Sequence, residues 1–254
     1  MRINYLEYFP SADLKKFIEC FWTMKTVDST APVPEHRVLP DGCMDFIFDF
    51  SSDCIGTRTY FVGTMTTPAI FTLPGYVDLI GVRFNPGCAL PFIQTSASEC
   101  VDEVIELAQI WDQNISIIWE QLQRTENSIT RIEFIQKKLR ETLTDESEID
   151  PYVQYSINAI SKSNGKIMSK DLEIRTGIGQ RQLERKFARH LGLSPKAFSR
   201  IIRFKSVVKA ANATNKPDWA DIAINHGYTD QSHLIKDFRE FSGLSPSEFI
   251  AAKK

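Results

Sequence analysis

The 254-residue sequence lacks the features of several protein classes. No apolar run approaches the ~20 residues that a membrane-spanning helix needs, and the first residues, MRINYLEYFP, do not have the layout of a signal peptide. Hydrophobic residues make up 43% and charged residues 24%, as in an ordinary soluble protein and not a disordered or fibrous one. We therefore expect a cytoplasmic protein that binds no membrane, with room for two domains at ~100–200 residues each.

The sequence also lacks the common catalytic and metal-binding motifs. It contains no CxxC pair, no GxSxG, no glycine-rich phosphate loop and no HExxH. Its five cysteines, at positions 20, 43, 54, 88 and 100, are odd in number, and we interpret them as reduced, small buried hydrophobes. A zinc or thiol site built from Cys43, Cys54 and His36 is the alternative, but the spacing does not favour it. We accordingly expect no catalytic residue, no metal and no cofactor.

Charge divides sharply at Pro151, which follows the acidic stretch TDESEID. Residues 151–254 contain 18 Lys and Arg against 9 Asp and Glu, a net of +9, whereas the preceding residues carry a net of −11. An acidic part joined to a basic one indicates that only one part meets a polyanion. We therefore predict a nucleic-acid-binding domain over residues 151–254, preceded by a separate domain over residues 1–145.

The basic part contains a repeat. QRQLERKFARHLGLSPKAF (180–198) returns as QSHLIKDFREFSGLSPSEF (231–249), with eight of nineteen positions identical, among them a Leu and a Phe four residues apart and the quartet GLSP. Residues four apart lie on one face of a helix, so each copy predicts an amphipathic helix. Glycine suits the left-handed position that ends a helix, and Ser-Pro suits the start of the next. Both copies therefore predict a helix, a glycine turn and a further helix.

Each copy follows a shorter predicted helix and a tight turn. MSKDLEIRTG (168–177) offers Ser169 as an N-cap and Gly177 as the turn, and WADIAINHGY (219–228) offers Gly227. Helix, glycine turn and helix is the pattern of a helix-turn-helix unit, whose second helix enters a DNA major groove. Two such units in tandem, in the basic part, predict a DNA-binding protein.

These segments resemble the DNA-binding domain of AraC/XylS-type transcription regulators. The resemblance is carried by DLEIRTGIGQRQLERKFARHLGLSPKAFSRIIRFKSVVKAA in the first unit and by WADIAINHGYTDQSHLIKDFREFSGLSPSEF in the second, where GY, DQSHL and GLSP follow the family signature. It implies an all-α domain of seven helices, in which a connector over roughly residues 195–211 joins the two units. It also implies a sequence-specific transcription regulator whose recognition helices enter successive major grooves, ~34 Å apart.

The resemblance further implies which residues face the DNA bases. They are Gln180, Arg181, Glu184 and Arg185 in the first unit and Gln231, Ser232, Ile235 and Lys236 in the second. Arginine binds guanine and glutamine binds adenine through two hydrogen bonds, each such pair giving ~1–3 kcal/mol of discrimination. Two positions depart from the family pattern, since Gly179 stands where a capping serine is usual and Ile235 where a polar residue is common. The target sequence therefore stays open.

The two units differ in charge. Residues 166–209 contain twelve basic and three acidic residues, whereas residues 210–254 contain five and six. Phosphate contacts supply most of the affinity that does not depend on DNA sequence. We therefore expect the first unit to anchor the protein on DNA and the second to contribute less.

The first 145 residues mix strand and helix patterns. MDFIFDF (44–50), TRTYFVG (57–63) and YVDLIGVRF (76–84) predict strands, while ADLKKFIECFWTM (12–24) and the segments beyond about residue 97 have a helical period. The chain is thus predicted to be α+β, with a strand-rich N-terminal domain flanked by helices and then the all-α domain. The apolar face of the helices within residues 112–143 fits either a dimer interface or an intramolecular core.

This front part resembles the N-terminal sensory domain carried by a subset of AraC-type regulators. The similarity lies in RVLPDGCMDFIFDF (37–50), VGT (62–64) and LIGVRFNPGCALPFI (79–93). It implies an effector-sensing or dimerising module. The candidate effector-binding residues are Trp22, Arg37, Asp41, Asp45 and Arg83. Charged groups beside apolar strands need a partner or a ligand, and structural ion pairs within the core are the alternative.

Two other classes of protein stay open at this point. One is a DNA-repair or other enzyme fused to a helix-turn-helix domain, for example a methyl-accepting protein with reactive cysteines. The other is an architectural DNA binder without sequence preference. The expected partner is double-stranded DNA, and RNA polymerase, a small-molecule effector and a second copy of the chain are further candidates.

Overall fold

The fold is given by a computed structural model, which describes residues 2–28, 35–51, 58–72, 76–111, 114–144, 149–214 and 217–252. Its strands are β1 (Arg2–Tyr8), β2 (Ile18–Asp28), β3 (Glu35–Val38), β4 (Asp45–Asp49), β5 (Thr59–Val62), β6 (Ala69–Thr72), β7 (Asp78–Phe84) and β8 (Val104–Glu106). Its α-helices are α1 (Ile115–Gln123), α2 (Ser128–Thr142), α3 (Pro151–Lys162), α4 (Ser169–Thr176), α5 (Gln180–Leu191), α6 (Pro195–Asn212), α7 (Trp219–Asn225), α8 (Gln231–Ser242) and α9 (Pro246–Ala251). The chain is therefore α+β, as predicted, with its strands before its helices.

The N-terminal region, residues 2–143, is built on an antiparallel sheet with the strand order β1-β2-β7-β4-β5-β8, and β3 pairs separately with β6. The predicted alternation in β4 is present, because Met44, Phe46 and Phe48 are buried in the core. Phe50 continues this face and stacks on Trp119 of α1, with ring centroids 4.9 Å apart. The sheet thus buries one aromatic face under helices α1 and α2.

Helices α1 and α2 bury the apolar face that the sequence left open between a dimer interface and a core. The residues of this face that are buried in the N-terminal core are Ile115, Ile118, Trp119, Leu122, Ile132, Ile135 and Leu139. Arg131 fixes α2 on the sheet, since its guanidinium lies 3.6 Å from the centre of the Phe50 ring and donates to Asp78 on β7 at 3.2 Å. This face therefore packs within the chain.

Two helical predictions in the N-terminal region are wrong. Within residues 12–24 the structure has turns followed by strand β2, and residues 97–111 contain 3-10 turns and the edge strand β8 instead of an α-helix. Strand β2 lies between β1 and β7 and is buried on both faces, so its nearly continuous apolar run does not alternate. Such a short run cannot be told from a buried helix by its period alone.

The C-terminal region, residues 151–251, has its own core of helices α3 to α9, which are the seven that the resemblance implied. The connector α6 matches the predicted segment within a residue. Each repeat has the predicted left-handed glycine, with φ of +75° at Gly192 and +72° at Gly243. Ser169 is the first residue of α4 and not its N-cap, which is Met168. In the described part of the chain, no helix is both long and apolar enough to cross a membrane.

The two regions pack against each other at glycine turns. A Cβ added at Gly192 would lie 2.7 Å from the carbonyl oxygen of Ala97, and one at Gly42 would lie 2.5 Å from the Phe198 ring. Leu39 is half-buried against the C-terminal core. At both glycines a side chain larger than hydrogen would therefore collide with the other region.

We predict that Gly192→Ala destabilises the protein by about 3 kcal/mol and Gly177→Ala by about 1 kcal/mol. Both glycines end a helix with a left-handed φ, at +75° and +72°, so both substitutions incur the ~1–2 kcal/mol cost of that conformation. Only Gly192 faces the N-terminal region, since a Cβ at Gly177 would meet nothing within 4 Å. The clash adds an overpacking cost of ~1–3 kcal/mol. Urea unfolding measures both, and equal losses would contradict the contact between the regions.

Candidate DNA-binding surface

Helix α5 begins at Gln180, as predicted, and presents a polar face to solvent. Gln180, Arg181 and Arg185 are exposed and Glu184 is half-buried, while Leu183 points into the core. The N-cap Gly179 supplies no side-chain hydrogen bond, in agreement with its departure from the family pattern. The helix therefore depends on its buried face for its position.

Two of the predicted base readers on α5 bind each other. The side-chain amide of Gln180 donates to Glu184 Oε1 over 2.9 Å, one helical turn away. A primary amide has two N–H donors and a carbonyl acceptor, so Gln180 retains one donor and its acceptor. Those are the two groups that a bidentate contact with adenine uses.

Helix α8 begins at Gln231 and is capped more firmly than α5. Its N-cap Asp230 accepts a hydrogen bond from the backbone N–H of His233 at 2.8 Å. Gln231, Ser232 and Lys236 are exposed, and Ile235 is half-buried. All eight predicted DNA-contacting residues therefore lie on the two helix faces that reach solvent, and whether they contact DNA stays a prediction.

Arg200 of the connector α6 holds α8 in place, and sequence reasoning did not single it out. Its guanidinium donates to Asp237 at 2.7 Å and to both carboxylate oxygens of Glu240 at 2.9 and 2.7 Å. The guanidinium also lies 5.0 Å from the centre of the Phe241 ring. Asp237 is only 2% exposed, and the hydrogen bond from Arg200 lowers the pKa of Glu240. No spacing in the sequence signals this contact, because its partners lie 37 and 40 residues away.

Most acidic residues of the second unit cap its helices or bind Arg200. Asp218 and Asp230 cap α7 and α8, and Glu248 completes a capping box at the start of α9. Asp237 and Glu240 bind Arg200. Of these five residues only Asp237 is buried, so the other four stabilise the unit from its surface.

Basic residues of the first unit remain at the surface. Arg181, Arg185 and Arg189 are exposed along α5, whereas Lys186 is turned away and pairs with Asp150. A surface groove of about 760 Å³ beside α3 and α4 is lined by Lys166 and Arg175 of this unit, by Lys162 of α3 and by the acidic Asp171. The first unit thus has the concentration of exposed positive charge that phosphate binding requires.

Comparison with known families bears directly on this surface. A family model described as "Helix-turn-helix domain" matches residues 173–252, which contain α5, α6, α7, α8 and α9. Residues 173–252 form an AraC-type helix-turn-helix domain. A second model, described as "Domain of unknown function (DUF6597)", matches residues 6–106. The chain is a DNA-binding transcription regulator.

Solved structures resemble the chain only distantly. The C-terminal domain of AraT, a response regulator from Geobacillus stearothermophilus, is 22% identical, with 40% of this chain and 85% of that one covered and a TM-score of 0.37. ToxT from Vibrio cholerae O395, bound to (E)-4-(8-methylnaphthalen-1-yl)but-3-enoic acid, is 10% identical, with 100% and 99% covered and a TM-score of 0.46. Unsaturated-fatty-acid-bound ToxT from strain SCE256 is 13% identical, with 98% and 94% covered and a TM-score of 0.40. A search of curated proteins found no significant match.

Four of the five candidate effector residues form one cluster in the N-terminal region. The Trp22 indole N–H donates to Asp45 Oδ1 at 2.7 Å, and Arg83 Nε lies 3.4 Å from the same oxygen and 3.7 Å from Asp41 Oδ2. Burial raises the pKa of Asp45 to about 6, although the charge of Arg83 opposes the rise. These groups pair with one another, as the structural alternative expects, although the buried Nε of Arg83 makes ion pairs and no hydrogen bond within the described residues.

The fifth candidate, Arg37, lies apart from that cluster. It stands on β3, paired with Ile70, and its Nη1 donates to the backbone carbonyl of Ser242 at the end of α8. Arg37 therefore joins the N-terminal region to the AraC-type domain.

The described cysteines, Cys20, Cys43, Cys88 and Cys100, are free and buried, and Cys54 lies outside the described residues. Burial raises the pKa of Cys20 and of Cys88 to about 12, so both are protonated thiols and weak nucleophiles at neutral pH. Cys43 lies against Glu19, with Sγ 3.3 Å from Oε2. Over the described ranges, no group of three His, Cys, Asp or Glu side chains is placed to hold a metal ion.

We predict that Arg200→Ala destabilises the protein by about 2 kcal/mol. It leaves the carboxylate of Asp237 buried without its charged partner, and an unsatisfied buried charge costs ~1–3 kcal/mol or more. The matched control is Lys196→Ala, an exposed cation one turn earlier on α6, which should change stability by less than about 0.5 kcal/mol. Urea unfolding compares the two variants. Similar small losses would show that Arg200 does not hold α8.

Proposed function

We propose that the chain is a sequence-specific regulator that places α5 and α8 in successive major grooves of one DNA duplex. One observation carries this proposal. Helices α5 and α8 each present a polar face to solvent, and the long helix α6 connects the two units to which they belong. Helix α6 has 18 residues and is therefore ~27 Å long at 1.5 Å per residue. That length is close to the ~34 Å between successive major grooves on one side of a duplex.

Base recognition is assigned to the residues that the resemblance implied. On α5 these are Gln180, Arg181, Glu184 and Arg185, and on α8 they are Gln231, Ser232, Ile235 and Lys236. Arginine suits guanine and glutamine suits adenine, while an aliphatic side chain such as Ile235 suits the methyl group of thymine. The exposure of the polar members on both helices supports this assignment.

The first unit acts as the anchor in this proposal. The exposed arginines of α5 and the cations of the groove beside α4 supply positive charge for phosphates. The exposed Lys236 offers one cation in the middle of α8. Sequence-independent affinity is therefore assigned mainly to the first unit, and discrimination to both.

The domain division proposed here follows the two cores, with residues 1–145 as the N-terminal domain and residues 151–254 as the DNA-binding domain. Effector sensing, dimerisation and contact with RNA polymerase stay predictions. The cluster of Trp22, Asp41, Asp45 and Arg83 is internally paired. A ligand at that cluster would have to replace these bonds, and it would control DNA binding only by favouring one arrangement of the chain.

Selection of bound DNA from a random pool tests the function. We expect the full chain to enrich two short motifs at a fixed separation near one helical turn, and a footprint that covers both. Equal affinity for selected and random DNA would instead favour an architectural binder. Transfer of a methyl group from DNA to a cysteine would favour the repair enzyme.

We predict that Arg185→Ala weakens binding to the selected DNA by about tenfold or more, and Lys236→Ala by about threefold or less. An arginine that binds guanine through two hydrogen bonds gives ~1–3 kcal/mol, whereas lysine offers a single ammonium without the planar fork and is expected to give less. Both side chains are exposed at corresponding positions in the middle of the two helices, so neither substitution disturbs a core. Titrations at one fixed salt concentration measure the dissociation constants. Equal losses would contradict the assignment of α5 as the anchor.

A further inference from the structure

We propose that the N-terminal region forms a second bridge between the two helix-turn-helix units, and that Arg37 and Asp102 are its positioning residues. The bridge consists of residues 37, 66–70 and 97–102, and it contacts the C-terminal ends of α5 and α8. This inference rests on the proposed function, because its effect is on the separation at which the two helices read DNA. The connector α6 is the first link between the units, and the bridge closes a ring with it.

The first contact of the bridge lies at the end of α5. Gly192 ends this helix, and the bridge packs on it so closely that an added Cβ would collide with Val101 Cγ2 and lie 2.7 Å from the carbonyl oxygen of Ala97. Both neighbours belong to the segment 97–102. The end of α5 therefore cannot move relative to this segment without breaking the contact.

The second contact lies at the end of α8. Arg37 donates to the carbonyl of Ser242, the last residue of the helix. The last carbonyls of a helix lack partners within it and carry the negative end of its dipole, so a guanidinium is a favourable cap. Gly243 follows, where an added Cβ would lie 3.0 Å from Arg37 Nη1 and 3.7 Å from Pro68 Cγ. The bridge thus contacts the same kind of glycine turn at the end of each helix.

Asp102 joins the two contacts. It directly follows Val101, its carboxylate accepts from the backbone N–H of Thr66 at 2.6 Å, and it also binds the hydroxyl of that residue. Its own N–H donates to the carbonyl of Thr64 at 3.1 Å. Thr66 and Thr67 lead directly into Pro68 and β6, whose Ile70 is paired with Arg37.

Asp102 has a left-handed backbone, with φ of +58°. Aspartate adopts that conformation more readily than most residues other than glycine. The carboxylate therefore holds together the two chain segments that contact the two helix ends. The partners of this carboxylate, Thr66 and Thr67, both belong to the N-terminal region, so its influence on α5 and α8 acts through the bridge.

The bridge predicts that DNA with the wrong half-site separation is rejected. If α6 alone linked the units, bending or rotation about it would let the helices follow a changed separation. A ring with two links resists that motion, because moving one helix end away requires breaking the contact at Gly192 or at Ser242. Loss of the bridge should therefore relax the preference for separation more than it lowers affinity at the best separation.

The experiment uses the full chain and duplexes carrying the two selected half-sites at the natural separation and with one base pair inserted. One added base pair moves a half-site by ~3.4 Å and by about a tenth of a turn. We expect wild-type affinity to fall at least tenfold on insertion. In Arg37→Ala and in Asp102→Gly the fall should be threefold or less. Glycine keeps the left-handed conformation at position 102 and removes only the carboxylate.

Arg58→Ala is the matched control, since Arg58 pairs with Asp49 inside the N-terminal region. It should keep the wild-type ratio between the two duplexes. Partial unfolding lowers the active fraction equally on both duplexes, so the ratio reports position and not stability. A wild-type ratio in both Arg37→Ala and Asp102→Gly would overturn the bridge. Failure of the wild-type chain to select two half-sites would instead overturn the proposed function, and the bridge with it.

Discussion

Two left-handed glycines, one after α5 and one after α8, determine the direction of the following helices and the contacts of the C-terminal region with the N-terminal region. At φ near +75° a residue with a Cβ is strained by ~1–2 kcal/mol, so glycine ends each helix and turns the chain into the Ser-Pro start of the next. The absence of a Cβ also lets another part of the chain approach. Gly192 and Gly243 both lie against the N-terminal region, whereas Gly177, which ends α4 in the same conformation, faces open space. One residue type thus fixes the end of a helix, the direction of the next and a contact between regions.

The net charge of each unit does not by itself describe the electrostatics of the C-terminal region, which depend on where the charged side chains lie and what they bind. The second unit has almost no net charge, yet five of its six acidic residues cap helices or bind Arg200. The first unit keeps arginines exposed along α5. An AraC-type domain with this distribution presents a polar, weakly charged reading face on α8 and a strongly basic one on α5. The two units therefore differ in their exposed positive charge, and the acidic residues of the second unit also stabilise its own helices.

The N-terminal region packs its polar groups against its own strands and against the DNA-binding domain. Trp22, Asp45 and Arg83 bind one another beside the turn at Gly42, whose backbone packs on the Phe198 ring of α6. Arg37, which the sequence grouped with them, instead reaches the end of α8. Charged residues on the strands thus have two separate roles here, since some pair within the sheet and Arg37 joins the two regions.

The sequence by itself determined the local features of the DNA-binding domain. The i, i+4 apolar stripe, the glycine turns and the Ser-Pro starts act within a few residues, so the helices α5 and α8 and the start of α6 followed from the repeat, while the extent of α6 was implied by the resemblance. The alternation in β4 was likewise local. Only the tertiary structure decided that β2 is a strand, because burial on both faces removes its alternation, and that residues 104–106 pair at the sheet edge. It also decided the contacts of Arg37 and Arg200, whose partners lie 205 and about 40 residues away, a separation that no local pattern records.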